Sequence, residues 1–183
     1  MDKAPPKVFK VKDPDPDDKF SDIHPHLPQP PSLLLIVGSV KQGKSNLLVN
    51  LLCNPDMYKD KFDIVKIISN TLNADPKGKL MNKYFECEDH YTDEMVTDII
   101  ESQKKYEDFE RPSIALILDD ILTKDFKKTN AVSFLATRFR HYGIGLLAFT
   151  TQSFRAVSGL IRNNATDVII MKQQNTKELE KIN

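Results

Sequence analysis

The chain has 183 residues, a length typical of a single globular domain. Its 26 lysines and arginines balance 26 aspartates and glutamates, 40% of its residues are hydrophobic, and only 2 are cysteines. Because two cysteines cannot form a disulfide framework and no run approaches the roughly 18 apolar residues that span a bilayer, we expect an intracellular protein without a membrane partner. The zero net charge also disfavours a uniformly basic nucleic-acid coat protein.

The first 31 residues contain eight of the chain's 11 prolines. Each proline removes a backbone N–H donor and biases the residue before it toward extended backbone. This stretch therefore predicts a flexible or extended arm that does not pack into a core. We divide the chain into this proline-rich arm, residues 1–31, and a second unit, residues 32–183.

Beyond residue 31, short apolar runs alternate with polar or helical stretches, a pattern typical of an α/β domain with a mainly parallel sheet flanked by helices. The apolar runs predict five strands, at residues 33–37, 62–68, 114–118, 144–149 and 167–171. Helices are predicted at residues 45–53, 92–106 and 130–140, with a short last helix near residue 176.

A phosphate-binding motif follows the first predicted strand. It matches the pattern G-x-x-x-x-G-K-[ST] and comprises Gly38, Ser39, Val40, Lys41, Gln42, Gly43, Lys44 and Ser45. In such a loop the glycines let backbone N–H groups surround a phosphate, and the following helix N-terminus adds its positive end. We expect Lys44 to contact the β- and γ-phosphates and the Ser45 hydroxyl to bind Mg²⁺. The motif thus predicts a domain that binds ATP and Mg²⁺.

Two acidic residues, Asp119 and Asp120, end the third predicted strand. P-loop enzymes place at this position a carboxylate that holds Mg²⁺ through water, and Asp119 fits that role. Asp120 is positioned to orient and deprotonate an attacking water molecule. The second carboxylate favours hydrolysis over transfer of the phosphoryl group to another substrate.

Gln152 follows the fourth predicted strand. In an enzyme of this plan, that strand lies next to the strand that precedes the phosphate loop. A polar side chain at its end can contact both the γ-phosphate and the attacking water, so we assign Gln152 as a sensor of the phosphate state.

The arginines are concentrated: four of the five lie between Arg138 and Arg162, whereas residues 86–110 hold ten acidic and two basic residues. Because the guanidinium group binds phosphate in a bidentate manner, this cluster indicates either a phosphate or subunit contact or an ordinary solvated surface.

Residues 151–169, which include Gln152 and the run Ile161-Arg-Asn-Asn164, resemble the corresponding segment of the FtsK–HerA branch of P-loop ATPases. More narrowly, the run Arg138-Phe-Arg-His141-Tyr-Gly-Ile-Gly-Leu and the pair Asp119-Asp120 resemble the poxvirus-type genome-packaging ATPases of large DNA viruses and their satellites. The similarity covers roughly residues 32–181.

The resemblance implies a RecA-like core that assembles into a homo-oligomeric ring and hydrolyses ATP between subunits. It further implies that the ring drives double-stranded DNA into a preformed capsid, with capsid vertex proteins as partners. The location it implies is the host-cell cytoplasm at sites of virus assembly, or the virion itself. An arginine from one subunit would complete the neighbouring site; Arg140 and Arg162 are both candidates.

Two alternatives remain open from the residues themselves. One is a nucleotide kinase, which uses the same phosphate loop but is disfavoured by the paired acids and by Gln152. The other is a regulatory or assembly NTPase whose nucleotide switches a binding surface without moving DNA.

Overall fold

The computed structural model describes residues 20–73, 76–121 and 131–172. Within these residues there are six strands and five α-helices. The strands are β1 (Ser32–Val37), β2 (Ile64–Ser69), β3 (Glu86–Glu88), β4 (Ile114–Asp119), β5 (Ile144–Thr151) and β6 (Asp167–Ile170). The helices are α1 (Lys44–Cys53), α2 (Pro76–Tyr84), α3 (Asp93–Gln103), α4 (Ala131–Arg138) and α5 (Gly159–Asn164). In this described part, no helix combines the length and the apolar character needed to cross a bilayer.

All six strands form one parallel sheet in the order β3-β2-β4-β5-β1-β6. The predicted α/β class with a parallel sheet is therefore confirmed. Strand β5 lies between β1, which precedes the phosphate loop, and β4, which ends in Asp119. Its position next to β1 was predicted from the sequence. Because the strands are parallel, the ends of β1, β4 and β5 meet at one edge of the sheet.

Apolar side chains cover both faces of the sheet, which explains why the central strands are continuous apolar runs. In β1, Leu33 and Leu35 face the cluster formed with α3, α4 and α5, while Leu34 and Ile36 face the cluster formed with α1. The sheet therefore supplies a rigid platform for the groups at its edge.

The sequence missed three elements, namely β3, α2 and α5. Strand β3 has only three residues, Glu86-Cys-Glu, and no apolar run. Helix α2 contains Gly78, a residue that disfavours helices, yet Gly78 is required there because a Cβ would lie 2.1 Å from the Leu72 carbonyl oxygen. The helix predicted at residues 130–140 ends at Arg138 and continues as a 3-10 helix, Phe139–Tyr142. The helix predicted near residue 176 lies outside the described residues.

Residues 20–31 pack against the domain, so the prediction that no part of the arm joins a core is wrong for them. Ile23 is only 6% exposed, and the Phe20 ring lies 5.6 Å from the Phe62 ring. The Tyr58 hydroxyl donates a hydrogen bond of 2.5 Å to the Pro28 carbonyl. Prolines remove backbone donors, but they do not prevent neighbouring apolar side chains from being buried. Residues 1–19 lie outside the described part.

Candidate nucleotide-binding site

The phosphate loop connects β1 to α1 and depends on two glycines. Gly43 immediately precedes α1 with a φ of 100°, a conformation that favours glycine. At Gly38, a Cβ would lie 2.9 Å from the Met171 Cβ, because the residue that follows β6 packs beside the loop. Met171 is fixed there by its backbone N–H, which donates to the Val37 carbonyl at 2.8 Å. The structure of this chain therefore favours glycine at both glycine positions of the motif.

Lys44 is the first residue of α1, and its side chain turns back along the loop. The Nζ donates to the Gly38 carbonyl at 2.6 Å and to the Ser39 carbonyl at 3.2 Å. Burial lowers the pKa of Lys44, while the nearby carboxylates of Asp120 and Asp119 oppose that change. The ammonium group thus lies where the loop and both predicted acidic residues come together.

Asp119 is the last residue of β4 and is only 4% exposed. Both of its carboxylate oxygens accept hydrogen bonds from buried hydroxyls on the flanking strands. Ser69 Oγ donates to Oδ2 at 2.8 Å, and Thr150 Oγ1 donates to Oδ1. An ionised carboxylate offers about four acceptor sites, so lone pairs remain for further partners.

Asp120 has a φ of 52°, in the left-handed region that non-glycine residues seldom occupy. Its backbone N–H donates to Thr150 Oγ1 at 3.1 Å. Its carboxylate accepts from Gln152 Nε2, at 3.0 Å for Oδ2 and 3.4 Å for Oδ1. The structure thereby brings together the predicted base and the predicted sensor.

The residues proposed for Mg²⁺ are Ser45 and Asp119, both of which offer the hard oxygen ligands that this ion prefers. No group of three or more His, Cys, Asp or Glu side chains with metal-site geometry occurs in the described segments. In the usual magnesium environment, one or two protein oxygens act together with water and phosphate oxygens. The donor set therefore fits a nucleotide-bound Mg²⁺.

Of the two candidate arginines, Arg140 lies apart from the central cluster of acids. Arg140 precedes β5 and lines a cavity of about 700 Å³ at the opposite edge of the sheet, beside Arg111 and Asp108. The eight residues of β5, at about 3.3 Å each, separate the two edges by roughly 25 Å, so Arg140 does not reach the phosphate loop of its own chain. Arg162 lies in α5, with its guanidinium 5.2 Å from the centre of the Phe154 ring.

Ser69 and Thr150 also belong to the candidate site through their bonds to Asp119, and neither was predicted from the sequence. A signal was available, because each is a polar residue at the carboxyl end of a buried strand, and that edge of an open parallel sheet is where ligands bind. Met171 was missed for a different reason: its contact with Gly38 is set by the position of β6 beside β1.

A parallel sheet with this phosphate loop after β1, and with carboxylates at the end of β4, is the fold of P-loop NTPases. No protein-family profile matches the sequence, and the curated proteins contain no significant sequence match. Solved structures do match, and they include two groups of ATPases.

The first group is viral. The chain is similar to the DNA-packaging ATPase B204 from Sulfolobus Turreted Icosahedral Virus, with a TM-score of 0.63, 18% identity and coverage of 84% of this chain and 82% of that one. It is also similar to the genome packaging NTPase B204 from Sulfolobus turreted icosahedral virus 2 in complex with ATP-gammaS, with a TM-score of 0.58, 20% identity and coverage of 82% and 79%.

The second group comprises EssC and the type VII secretion ATPase EccC from Thermomonospora curvata. For EssC (ATPases 2 and 3) from Geobacillus thermodenitrificans, the TM-score is 0.62 at 15% identity, with coverage of 83% of this chain and 34% of that one. The chain thus spans about a third of the EssC chains that it matches. At these identities, the similarity establishes a shared fold.

Proposed function

We propose that this chain is a Mg²⁺-dependent ATPase of the FtsK–HerA type that moves double-stranded DNA, and that it packages a viral genome into a preformed capsid. The observation that carries the ATPase part is the meeting of Lys44, Asp119, Asp120 and Gln152 at the edge of the sheet where the phosphate loop lies. This arrangement contains a group for each step of hydrolysis.

In this mechanism the loop N–H groups and Lys44 bind the β- and γ-phosphates. Ser45 and Asp119 would hold Mg²⁺, which when bound would neutralise charge that develops on the phosphate oxygens. Gln152 orients a water molecule, whose oxygen bonds to the γ-phosphorus as the bond to the β–γ bridging oxygen breaks. Asp120 accepts the proton of that water, and ADP and phosphate are released.

The position of Arg140 supports the proposal that hydrolysis takes place in an oligomeric ring. Because Arg140 lies at the opposite edge of the sheet, it can stabilise a transferring phosphoryl group only in a neighbouring subunit. An arginine supplied in this way is worth several orders of magnitude in rate. Arg162 is the second candidate for the same role, and the proposed partner in either case is another copy of this chain.

Duplex DNA is the proposed polymer because the viral neighbours of this fold are genome-packaging enzymes and because residues 138–172 carry a local excess of arginine. The same proposal gives capsid vertex proteins as partners and places the chain in the host-cell cytoplasm at sites of virus assembly. The neighbours in the second group provide the competing idea, since the matched EccC chain is described as a type VII secretion ATPase.

The test is ATP turnover by the full chain with and without linear duplex DNA, with Lys44→Ala as the inactive reference. We expect wild-type turnover to rise several-fold with DNA and the reference to show none. Hydrolysis that DNA leaves unchanged would contradict the DNA motor and favour a secretion-type or switching role. Phosphate transfer to a nucleoside monophosphate would instead establish a kinase.

A further inference from the structure

Three residues form a row across the middle of the sheet edge. In the strand register, Ser69 of β2 is paired with Asp119 of β4, and Asp119 is paired with Thr150 of β5. Residues paired in this way project from the same face of a sheet. The central carboxylate is therefore flanked on each side by one hydroxyl.

Thr150 connects the two acidic residues. Its Oγ1 donates to Asp119 Oδ1 and accepts the backbone N–H of Asp120 at 3.1 Å. The side chain is fully buried, so water does not replace either bond readily. One hydroxyl thus fixes both the carboxylate assigned to Mg²⁺ and the backbone that carries the proposed base.

Asp120 needs such support because its backbone is in the left-handed region, which persists only where the surroundings hold it. In this conformation the carboxylate meets the Gln152 amide at 3.0 Å. Released from Thr150, the backbone of Asp120 would be free to relax, and the proposed base would leave its place beside Gln152.

Ser69 acts on the other oxygen. Its Oγ donates to Asp119 Oδ2 at 2.8 Å, and Ser69 itself is buried. With one hydroxyl on each oxygen, the carboxylate plane of Asp119 is held from both neighbouring strands, and its remaining lone pairs point in fixed directions.

We infer that Thr150 and Ser69 are positioning residues for ATP hydrolysis: Thr150 aligns Asp119 and Asp120 together, and Ser69 aligns Asp119 alone. This inference rests on the proposed function. Groups that orient a metal-binding carboxylate commonly change metal affinity or activity by 10- to 100-fold when they are removed. Loss of Thr150 Oγ1 therefore lowers both ATP turnover and the affinity for Mg²⁺, whereas loss of Ser69 Oγ lowers mainly the affinity for Mg²⁺.

The experiment compares four variants of the full chain: Thr150→Val, Thr150→Ser, Ser69→Ala and Ser113→Ala. Valine keeps the volume and β-branching of threonine but removes the hydroxyl, and serine restores that hydroxyl. Ser113→Ala is the matched control, because Ser113 also donates from a buried hydroxyl to a carboxylate, that of Asp63 at 3.0 Å, at the far edge of the same sheet.

We expect Thr150→Val to lower kcat by about 10- to 100-fold and to raise the KM for MgATP, because Mg²⁺ then contributes less to nucleotide binding. Thr150→Ser should recover most of that loss, and Ser113→Ala should hydrolyse ATP as the wild type does. Calorimetry provides a readout that does not depend on turnover. In Ser69→Ala and Thr150→Val, the gain in ADP affinity on adding Mg²⁺ should shrink by about 10-fold or more.

The inference would be overturned if Thr150→Val had the wild-type kcat and gained as much ADP affinity as the wild type when Mg²⁺ is added. Equal losses in Thr150→Val and Ser113→Ala would also overturn it, because these would show a purely structural role. If Thr150→Val does not fold, the other two variants test the inference. It is contradicted if Mg²⁺ raises the ADP affinity of Ser69→Ala as much as that of the wild type. It is also contradicted if Thr150→Ser folds but does not hydrolyse ATP. A wild-type chain that does not hydrolyse ATP would instead contradict the proposed function itself.

Discussion

The two edges of the sheet are built from similar parts and differ in what surrounds those parts. At the edge where the strands end, Asp119 accepts from the hydroxyls of Ser69 and Thr150. At the edge where the strands begin, Asp63 accepts from the Ser113 hydroxyl at 3.0 Å and from the Ser113 N–H at 2.7 Å. A buried hydroxyl paired with a carboxylate is therefore not by itself a sign of a catalytic site.

The two edges differ in the loops that connect to the strands there. After β1, the phosphate loop places Lys44 close enough to Asp119 and Asp120 for their charges to act on its pKa. At the other edge, Asp63 and Ser113 directly precede β2 and β4, and hydrogen bonds between them join the beginnings of these two strands. The comparison predicts that substitutions at the first edge change the chemistry of the chain's own site. Substitutions at the second edge, with the exception of Arg140, change stability.

The largest expected effect is that of Lys44→Ala. Removal of the ammonium group eliminates its contact with the β- and γ-phosphates, so we expect ATP turnover to fall below detection. The matched substitution at the other edge is Lys61→Ala, which removes an ion pair with Asp22 and should leave turnover unchanged. A steady-state phosphate-release assay measures both, and normal turnover in Lys44→Ala would refute the phosphate-loop assignment.

Arg140→Ala tests whether the edge where the strands begin contributes to a neighbouring site. If Arg140 acts in trans, we expect turnover to fall by about 10³-fold, and mixing with Lys44→Ala subunits should restore part of it. Restoration occurs because an intact Arg140 then faces an intact phosphate loop at some interfaces. The same mixtures with Arg162→Ala identify the second candidate, and a wild-type rate in Arg140→Ala would assign this edge to stability alone.

Asp120→Asn separates binding from chemistry at the edge that carries the phosphate loop. The amide cannot accept the proton of the attacking water, so kcat should fall by about 10²-fold or more. Asn keeps the side-chain size and an acceptor oxygen, so fluorescent-nucleotide titration should show near-normal ATP binding. Loss of nucleotide binding would move Asp120 from the role of base to that of a ligand in the metal environment.

Asp63→Ala should have the smallest effect on activity. It leaves the Ser113 N–H and Oγ without their carboxylate partner, which costs about 1–3 kcal/mol of unfolding free energy. Urea denaturation measures that loss, and kcat per folded molecule should equal that of the wild type. A drop in kcat without a loss of stability would remove the distinction between the two edges.

The sequence predicted the central part of the fold well. Five of the six strands in the described residues were found, since buried strands in a parallel sheet are uninterrupted apolar runs such as Leu33–Val37. Strand β3 was missed because Glu86 and Glu88 give it no apolar pattern, and α2 because Gly78 and few apolar residues hide its periodicity. The packing of Ile23 was missed because proline content describes the backbone and not the side chains.

The sequence by itself determined the chemistry that is available: a phosphate loop with Lys44 and Ser45, two consecutive acids, and Gln152 after a buried strand. These are local patterns, which can be recognised from the order of the residues alone. The tertiary structure decided which groups meet. The pairing of β4 with β5 places Thr150 between Asp119 and Asp120, and the direction of β5 places Arg140 at the far edge, because contacts between distant segments are fixed by strand order and register.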